Sequence, residues 1–192
     1  MIKVRFYTCN FTKAIALIIC CCFFQGSEYV IDASQNAAIH NNQGVTFLHD
    51  HDYIPAISEF KIAIALAPNK PATANYYNNL GLAYNSIKRY EWGQLVFERA
   101  VEINPNFFEY YKNLVKTYKL RNTLYKNLSK YSKRIEYNKG NSICWLFKGL
   151  IYEELGMKSA AVDSYIKYMK LEPDMLLTEA VSKNLYEITQ NK

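Results

Sequence analysis

The sequence predicts an all-α fold, a solenoid of about four stacked antiparallel helix pairs closed by a C-terminal capping helix. Three observations carry this reading. The chain holds only seven Gly and five Pro in 192 residues, half of its residues are apolar, and polar and apolar residues never settle into strict alternation; helix is the consistent local choice. Small and aromatic residues also recur at fixed offsets: Gly81 is followed by Tyr84, Gly93, Phe97, Ala100 and Pro105 at +3, +12, +16, +19 and +24. From Gly44 the same offsets give Phe47, Ala56, Phe60, Ala63 and Pro68, and from Gly149 they give Tyr152, Ala161, Tyr165, Tyr168 and Pro173. Finally, each series closes on a proline, which cannot continue a helix and biases the residue before it away from helical dihedrals.

The elements follow in chain order. Lys3, Arg5 and Lys13 precede the apolar run Ala14 to Phe24, and no acid appears before Glu28. That order reads as a secretory signal peptide over 1–26, cut near Gly26 or Ala33, and then a short linker over 27–36. A buried N-terminal helix is the alternative, since a span needs about 20 apolar residues. Cys9, Cys20, Cys21 and Cys22 all lie in this leader, leaving Cys144 alone and no internal disulfide to form. Cys20, Cys21 or Cys22 could carry a lipid, because Leu17 stands three residues before Cys20. Ile19 nevertheless occupies a place where a bacterial lipoprotein signal has a small residue. With the leader gone, three of the 23 basic residues go with it, and 20 basic residues face 17 acidic ones. The mature chain is barely basic.

The helix pairs are expected over 37–70, 74–107, 108–141 and 142–175. Gly81 costs a helix interior roughly 1 kcal/mol relative to Ala. Its expected return is a close crossing of the two helices of its pair, with Gly93 opposite. The third pair is degenerate: Val115 stands at the glycine place and Asn127 where Ala is expected, while Leu124, Leu128, Tyr131 and Ile135 keep a helical stripe. That stripe implies a helix in slipped register. Over 174–192, Leu177, Val181, Leu185 and Ile188 fall at helical spacing, as a closing cap requires.

This series resembles the tetratricopeptide repeat, whose period is about 34 residues. Tyr77, Leu80, Gly81, Tyr84, Phe97, Ala100 and Pro105 form the best copy, and Trp145, Gly149, Tyr152, Ala161 and Pro173 mark another. The resemblance implies a right-handed superhelix whose first helices line a concave groove, and a role in binding other proteins.

Catalysis finds little support. His49 and His51 are two apart and would diverge on a helix, and Asp52 reads as an N-cap, so no metal is expected there. Cys144 has no helper, Glu153 and Glu154 diverge, and no phosphate loop occurs. We expect no enzyme and no cofactor. Between Tyr110 and Lys139 nine Lys or Arg and six Tyr accompany a single acid, Glu136. The readings open for this segment are a solvated face, an acidic protein partner, or single-stranded nucleic acid.

The groove is the expected site. Asn42, Asn79 and Asn113 stand two residues before the glycine place in three copies, with Asn41, Asn78 and Lys112 just before them. This resembles the asparagine ladder in the repeats of O-linked N-acetylglucosamine transferase, which implies binding of an extended peptide through its backbone. An Asn amide offers both a donor and an acceptor to a peptide unit. The chaperone-type carboxylate clamp matches poorly, with Asn41, Val45, Glu109 and Asn113 at its places. Asn85, Lys116 and Lys119 lie further along the same faces, and Ile143, Leu146, Phe147 and Leu150 form an apolar patch in the fourth copy, open to a ligand's apolar anchor or to packing on the third repeat. The reading is an exported, periplasmic or envelope-associated scaffold for a protein or peptide with an acidic side. Its alternatives are a lipid-anchored assembly factor acting through the convex face, and a nucleic-acid binder.

Overall fold

The computed structural model describes residues 33–68, 70–172 and 176–190, and the leader, with Cys20, Cys21 and Cys22, lies outside them, as does Pro173. The described residues form nine helices: α1 (Ala33–His49), α2 (Tyr53–Leu66), α3 (Thr73–Ser86), α4 (Tyr90–Ile103), α5 (Phe108–Leu120), α6 (Leu124–Tyr137), α7 (Ser142–Glu154), α8 (Lys158–Leu171) and α9 (Leu176–Gln190). The first begins at Ala33, four residues before the expected start of the repeats.

The two helices of each pair are joined by the same turn, whose central residue is left-handed: His51 (φ 64°), Lys88 (φ 59°), Asn122 (φ 55°) and Gly156 (φ 74°). In each turn the next N–H returns to an aromatic residue's carbonyl: Asp52 to Phe47 at 2.8 Å, Arg89 to Tyr84 at 2.9 Å, Thr123 to Tyr118 at 2.8 Å and Met157 to Tyr152 at 2.8 Å. These are Schellman closures, which satisfy carbonyls that a helix end would otherwise orphan. The aromatic at +3 is therefore also the turn acceptor. Asp52 stands at the N-cap of α2, but its side chain makes no capping bond.

Within a pair, the motif glycine receives a ring. A Cβ placed on Gly44 would stand 2.6 Å from the Phe60 ring, and one on Gly81 would stand 2.6 Å from the Phe97 ring; Gly149 lies as close beneath Tyr165. Phe60, Phe97 and Tyr165 are fully buried. The expectation of close backbones is thus refined, because the missing Cβ makes a bed for an aromatic side chain of the second helix. At Gly93 facing backbone enters as well, with the Gly81 carbonyl 3.4 Å from a built Cβ.

The third pair differs. Val115 is fully buried in the glycine place, and α5 meets its own partner α6 more thinly than it meets α4 or α7. Tyr131 turns its ring onto Phe147 of α7, stacked at 4.4 Å and 5°, while its hydroxyl meets that of Tyr118 at 3.2 Å. Asn127 and Tyr131 are buried in the places of Gly93 and Phe97, but Ile135 rather than Arg134 takes the last buried place. The expected slip is confined to the last turn of α6.

Helices α1, α3, α5 and α7 touch one another in succession, whereas α2, α4, α6 and α8 do not. The first set therefore forms the inner layer. Helix α9 packs on α8 and reaches α5, with Leu177 and Val181 in the main core. The Asn184 amide of α9 and the Tyr165 hydroxyl of α8 both donate to Glu153 of α7, at 2.9 and 2.6 Å.

Candidate functional site

Three inner helices carry five asparagines joined through their side chains. Asn113 of α5 donates to Asn78 of α3 at 2.9 Å, and Asn79 of α3 donates to Asn41 of α1 at 2.9 Å. Longer contacts of 3.4 Å run from Asn78 to Asn79 and from Asn41 to Asn42. The cross-helix bonds are diagonal: each runs from the residue two before the glycine place to the residue three before it on the preceding helix. A net contribution of about 1 kcal/mol is ordinary for such a bond. An amide has two N–H groups and two lone pairs on its oxygen, so members bonded once on each side keep capacity for a peptide backbone. Asn42, Asn79, Asn78 and Asn41 remain exposed or half-buried.

Other expected groove residues are placed differently. Asn113 is buried at 6% exposure, so it anchors the row rather than facing solvent. Asn85 turns away from the wall: its Nδ2 donates to Thr117 at 2.8 Å, and its Oδ1 is buried over Gly93 without a protein partner. It fills the space that the glycine leaves and ties α3 to α5. Leu146, Phe147 and Leu150 are core residues, packed in one cluster with Tyr111, Tyr131 and Val181, and only Ile143 of the expected apolar patch is half-buried. Helices α5, α6 and α9 cover the surface that the sequence left open. Lys112 pairs with Glu109 at 3.4 Å and Lys119 with Glu154 at 2.9 Å, while Lys116 is exposed.

An apolar recess does exist, but elsewhere. Between α5 and α9 lies a hollow of about 480 Å³, lined among others by Phe107, Phe108, Lys112, Leu176, Ala180 and Lys183. Phe107 and Leu176 are 49% and 74% exposed. No repeat spacing announces this hollow, because it depends on α9 reaching back to α5.

The basic segment is also redistributed. Of its six tyrosines, Tyr110, Tyr111, Tyr118 and Tyr131 are buried, leaving Tyr125 and Tyr137 exposed. Stacking of successive bases, which single-strand binding relies on, loses most of its platform. Cys144 is buried at 2% exposure, and burial pushes its thiol up, against the opposing pull of Arg134; a nucleophile needs the reverse. His51 meets the Tyr53 hydroxyl at 3.0 Å, and His49 lies 3.6 Å from Asp50.

Comparison with known proteins adds the family. The tetratricopeptide repeat model matches residues 74–107 and 143–175. The chain carries tetratricopeptide repeats. The matched segments cover α3–α4 and α7–α8 but for the first residue of each pair, while α1–α2, with Gly44 under Phe60, and the pair built on Val115 and Asn127 are unmatched. The chain is similar to the uncharacterized protein ycf37 of Guillardia theta, at 32% identity over 100 residues, 51% of this chain and 56% of that protein. It is also similar to the protein of the same name from Pyropia yezoensis, at 28% identity over 124 residues, 59% of this chain and 70% of the relative. The match thus spans little more than half the length of the Guillardia protein. Among solved structures, a tetratricopeptide repeat protein from Parabacteroides merdae superposes with a TM-score of 0.50 at 16% identity, over 82% of this chain and 61% of the other. At that identity the likeness concerns the fold of this tetratricopeptide repeat chain alone.

Proposed function

We propose that the protein is a non-enzymatic interaction scaffold that holds an extended peptide segment along the inner wall of α1, α3 and α5. The linked row Asn42, Asn41, Asn79, Asn78 carries this reading, with Asn113 as its buried anchor. A row of amides presents alternating donors and acceptors to a peptide backbone and asks little of its side chains. Lys116 beside the row favours an acidic flank, and the hollow between α5 and α9 offers room for one apolar side chain of the bound segment. The basic and then apolar start supports export across a membrane, and mass spectrometry of the mature N-terminus would find the cut, or a lipid on Cys20, Cys21 or Cys22.

Peptides selected on the protein from a random library provide the test. Asn42→Ala and Asn79→Ala should each weaken the selected peptides about tenfold, the equivalent of a lost main-chain contact of about 1.4 kcal/mol. Asn42 is exposed, so its replacement should leave the melting temperature unchanged. Asn79→Ala should also lose about 1 kcal/mol of stability with its bond to Asn41. Unaltered affinity in both variants would refute the groove.

A further inference from the structure

The outer side of the third pair carries a second feature. A cleft of about 540 Å³ opens between α4 and α6, lined by Gln94, Thr123, Asn127 and Ser129 and by four cations, Arg121, Lys126, Lys130 and Lys133. No carboxylate lines it. Two acids bond its lining from outside: Glu91 accepts from the Arg121 Nε at 3.2 Å and offsets part of that charge, and Glu98 accepts from Gln94 at 2.9 Å. Arg121 also donates to Gln94, so its guanidinium is held at the cleft in advance. The three lysines are exposed, and none of them forms an ion pair among the described residues.

The positions explain the convergence. Lys126, Lys130 and Lys133 are spaced by four and then three residues, which places them on one face of α6. Because Tyr131 stacks on Phe147 rather than bedding on α5, α6 leans toward α7, and that lysine face looks along the open side toward α4. The cations continue past the cleft: a second hollow of about 460 Å³ shares Lys133 and adds Arg134, Tyr137, Asn138 and Asn141. Helix α6 rises about 20 Å from Leu124 to Tyr137, which an extended chain of about six residues spans.

We propose that this strip binds an extended acidic peptide segment, with consecutive Asp or Glu side chains reaching into the cleft. Like charges converging on a concave, low-dielectric wall raise the local potential for anions beyond what a flat row achieves. The occupant is peptide rather than single-stranded nucleic acid because only Tyr125 and Tyr137 of the segment's tyrosines are exposed for stacking. It is peptide rather than membrane because the cations line a recess instead of a flat face edged with apolar side chains. This site is distinct from the inner wall, and the sequence held its signal in the spacing of the three lysines.

The test uses fluorescently labelled decaglutamate and the full chain, with anisotropy as the readout. Decaglutamate should bind, lose affinity severalfold as salt rises from about 0.05 to about 0.3 M, and bind at least tenfold less well to the variant Lys126→Glu/Lys130→Glu/Lys133→Glu. Circular dichroism checks the helices of that variant, and Lys→Gln at the same positions replaces it if they are lost. Asn79→Ala should retain decaglutamate binding. The proposal is overturned if decaglutamate binds no better than a Gly-Ser decamer, or if the lysine variants bind it unchanged. It is equally overturned if Asn79→Ala abolishes binding, or if oligothymidine or phosphatidylserine vesicles bind the strip more tightly.

Discussion

Gly81→Val is expected to lower folding stability by about 3 kcal/mol, at the upper end of what overpacking a filled core costs. At roughly 2–4 °C per kcal/mol for a chain of this size, that is a drop of about 6–12 °C in melting temperature. Valine gains some helix propensity over glycine, but only a fraction of 1 kcal/mol. Against it stands the Phe97 ring, which three of its atoms bring within 2.8 Å of where the new Cβ would sit. Phe97 is fully buried and has nowhere to go. The third pair shows the alternative arrangement, since Val115 is accommodated there by a thin α5–α6 contact and a ring that faces another helix. Adding Phe97→Leu to Gly81→Val should recover part of the loss, a coupling that thermal melts of the two single variants and the double variant would read. Additive losses would mean that the ring and the glycine do not oppose one another.

Alkaline unfolding is the second large effect. Burial pushes the phenols of Tyr111, Tyr118 and Tyr165 well above the ordinary tyrosine range, and Tyr131 up to about 12. Below pH 10 these phenols are neutral whether the chain is folded or not, and their packing contributes fully. Above about pH 10 the unfolded chain releases protons that the folded chain keeps, so stability falls as pH rises toward the folded-state values. Each such phenol removes roughly 1 kcal/mol between pH 10 and 11, and four remove about 4 kcal/mol, a large share of an ordinary domain's 5–15 kcal/mol. Tyrosinate absorbance and loss of helical circular dichroism should therefore rise together near pH 11. Ionisation of Tyr111, Tyr118, Tyr131 and Tyr165 near pH 10 with helices intact would contradict the burial described.

The spacing of Gly44, Gly81 and Gly149 against Phe60, Phe97 and Tyr165 made the pairing of helices readable in advance, because a glycine and a ring 16 residues apart have one economical arrangement. Turn positions were not readable in the same way. His51 and Lys88 adopt left-handed dihedrals that their residue types do not announce, and only Gly156 and Asn122 carry a turn signal. Helical position told which face Asn41, Asn42, Asn78 and Asn79 occupy, and the structure brings those side chains into one row. It could not tell whether another helix covers a face, which is why Leu146, Phe147 and Leu150 read equally as groove patch or packed face; they are core. Asn85 misled for a local reason, since the void above Gly93 drew its amide inward. The hollow at Phe107 and Leu176 arises where α9 reaches α5, and the cleft between α4 and α6 where Tyr131 turns to Phe147 of α7; a repeat period is blind to both.

The central claim is that a bound segment lies against the asparagine row, and photo-crosslinking reads this most directly. Val45 lies one turn beyond Asn41 on α1 and is 43% exposed, and Leu95 on α4, in the outer layer, is 57% exposed. With a benzophenone amino acid at one position or the other, and a library-selected peptide bound, the account expects crosslinks from position 45 and none from position 95. Crosslinks from position 95 alone would place the segment on the outer layer and contradict the account.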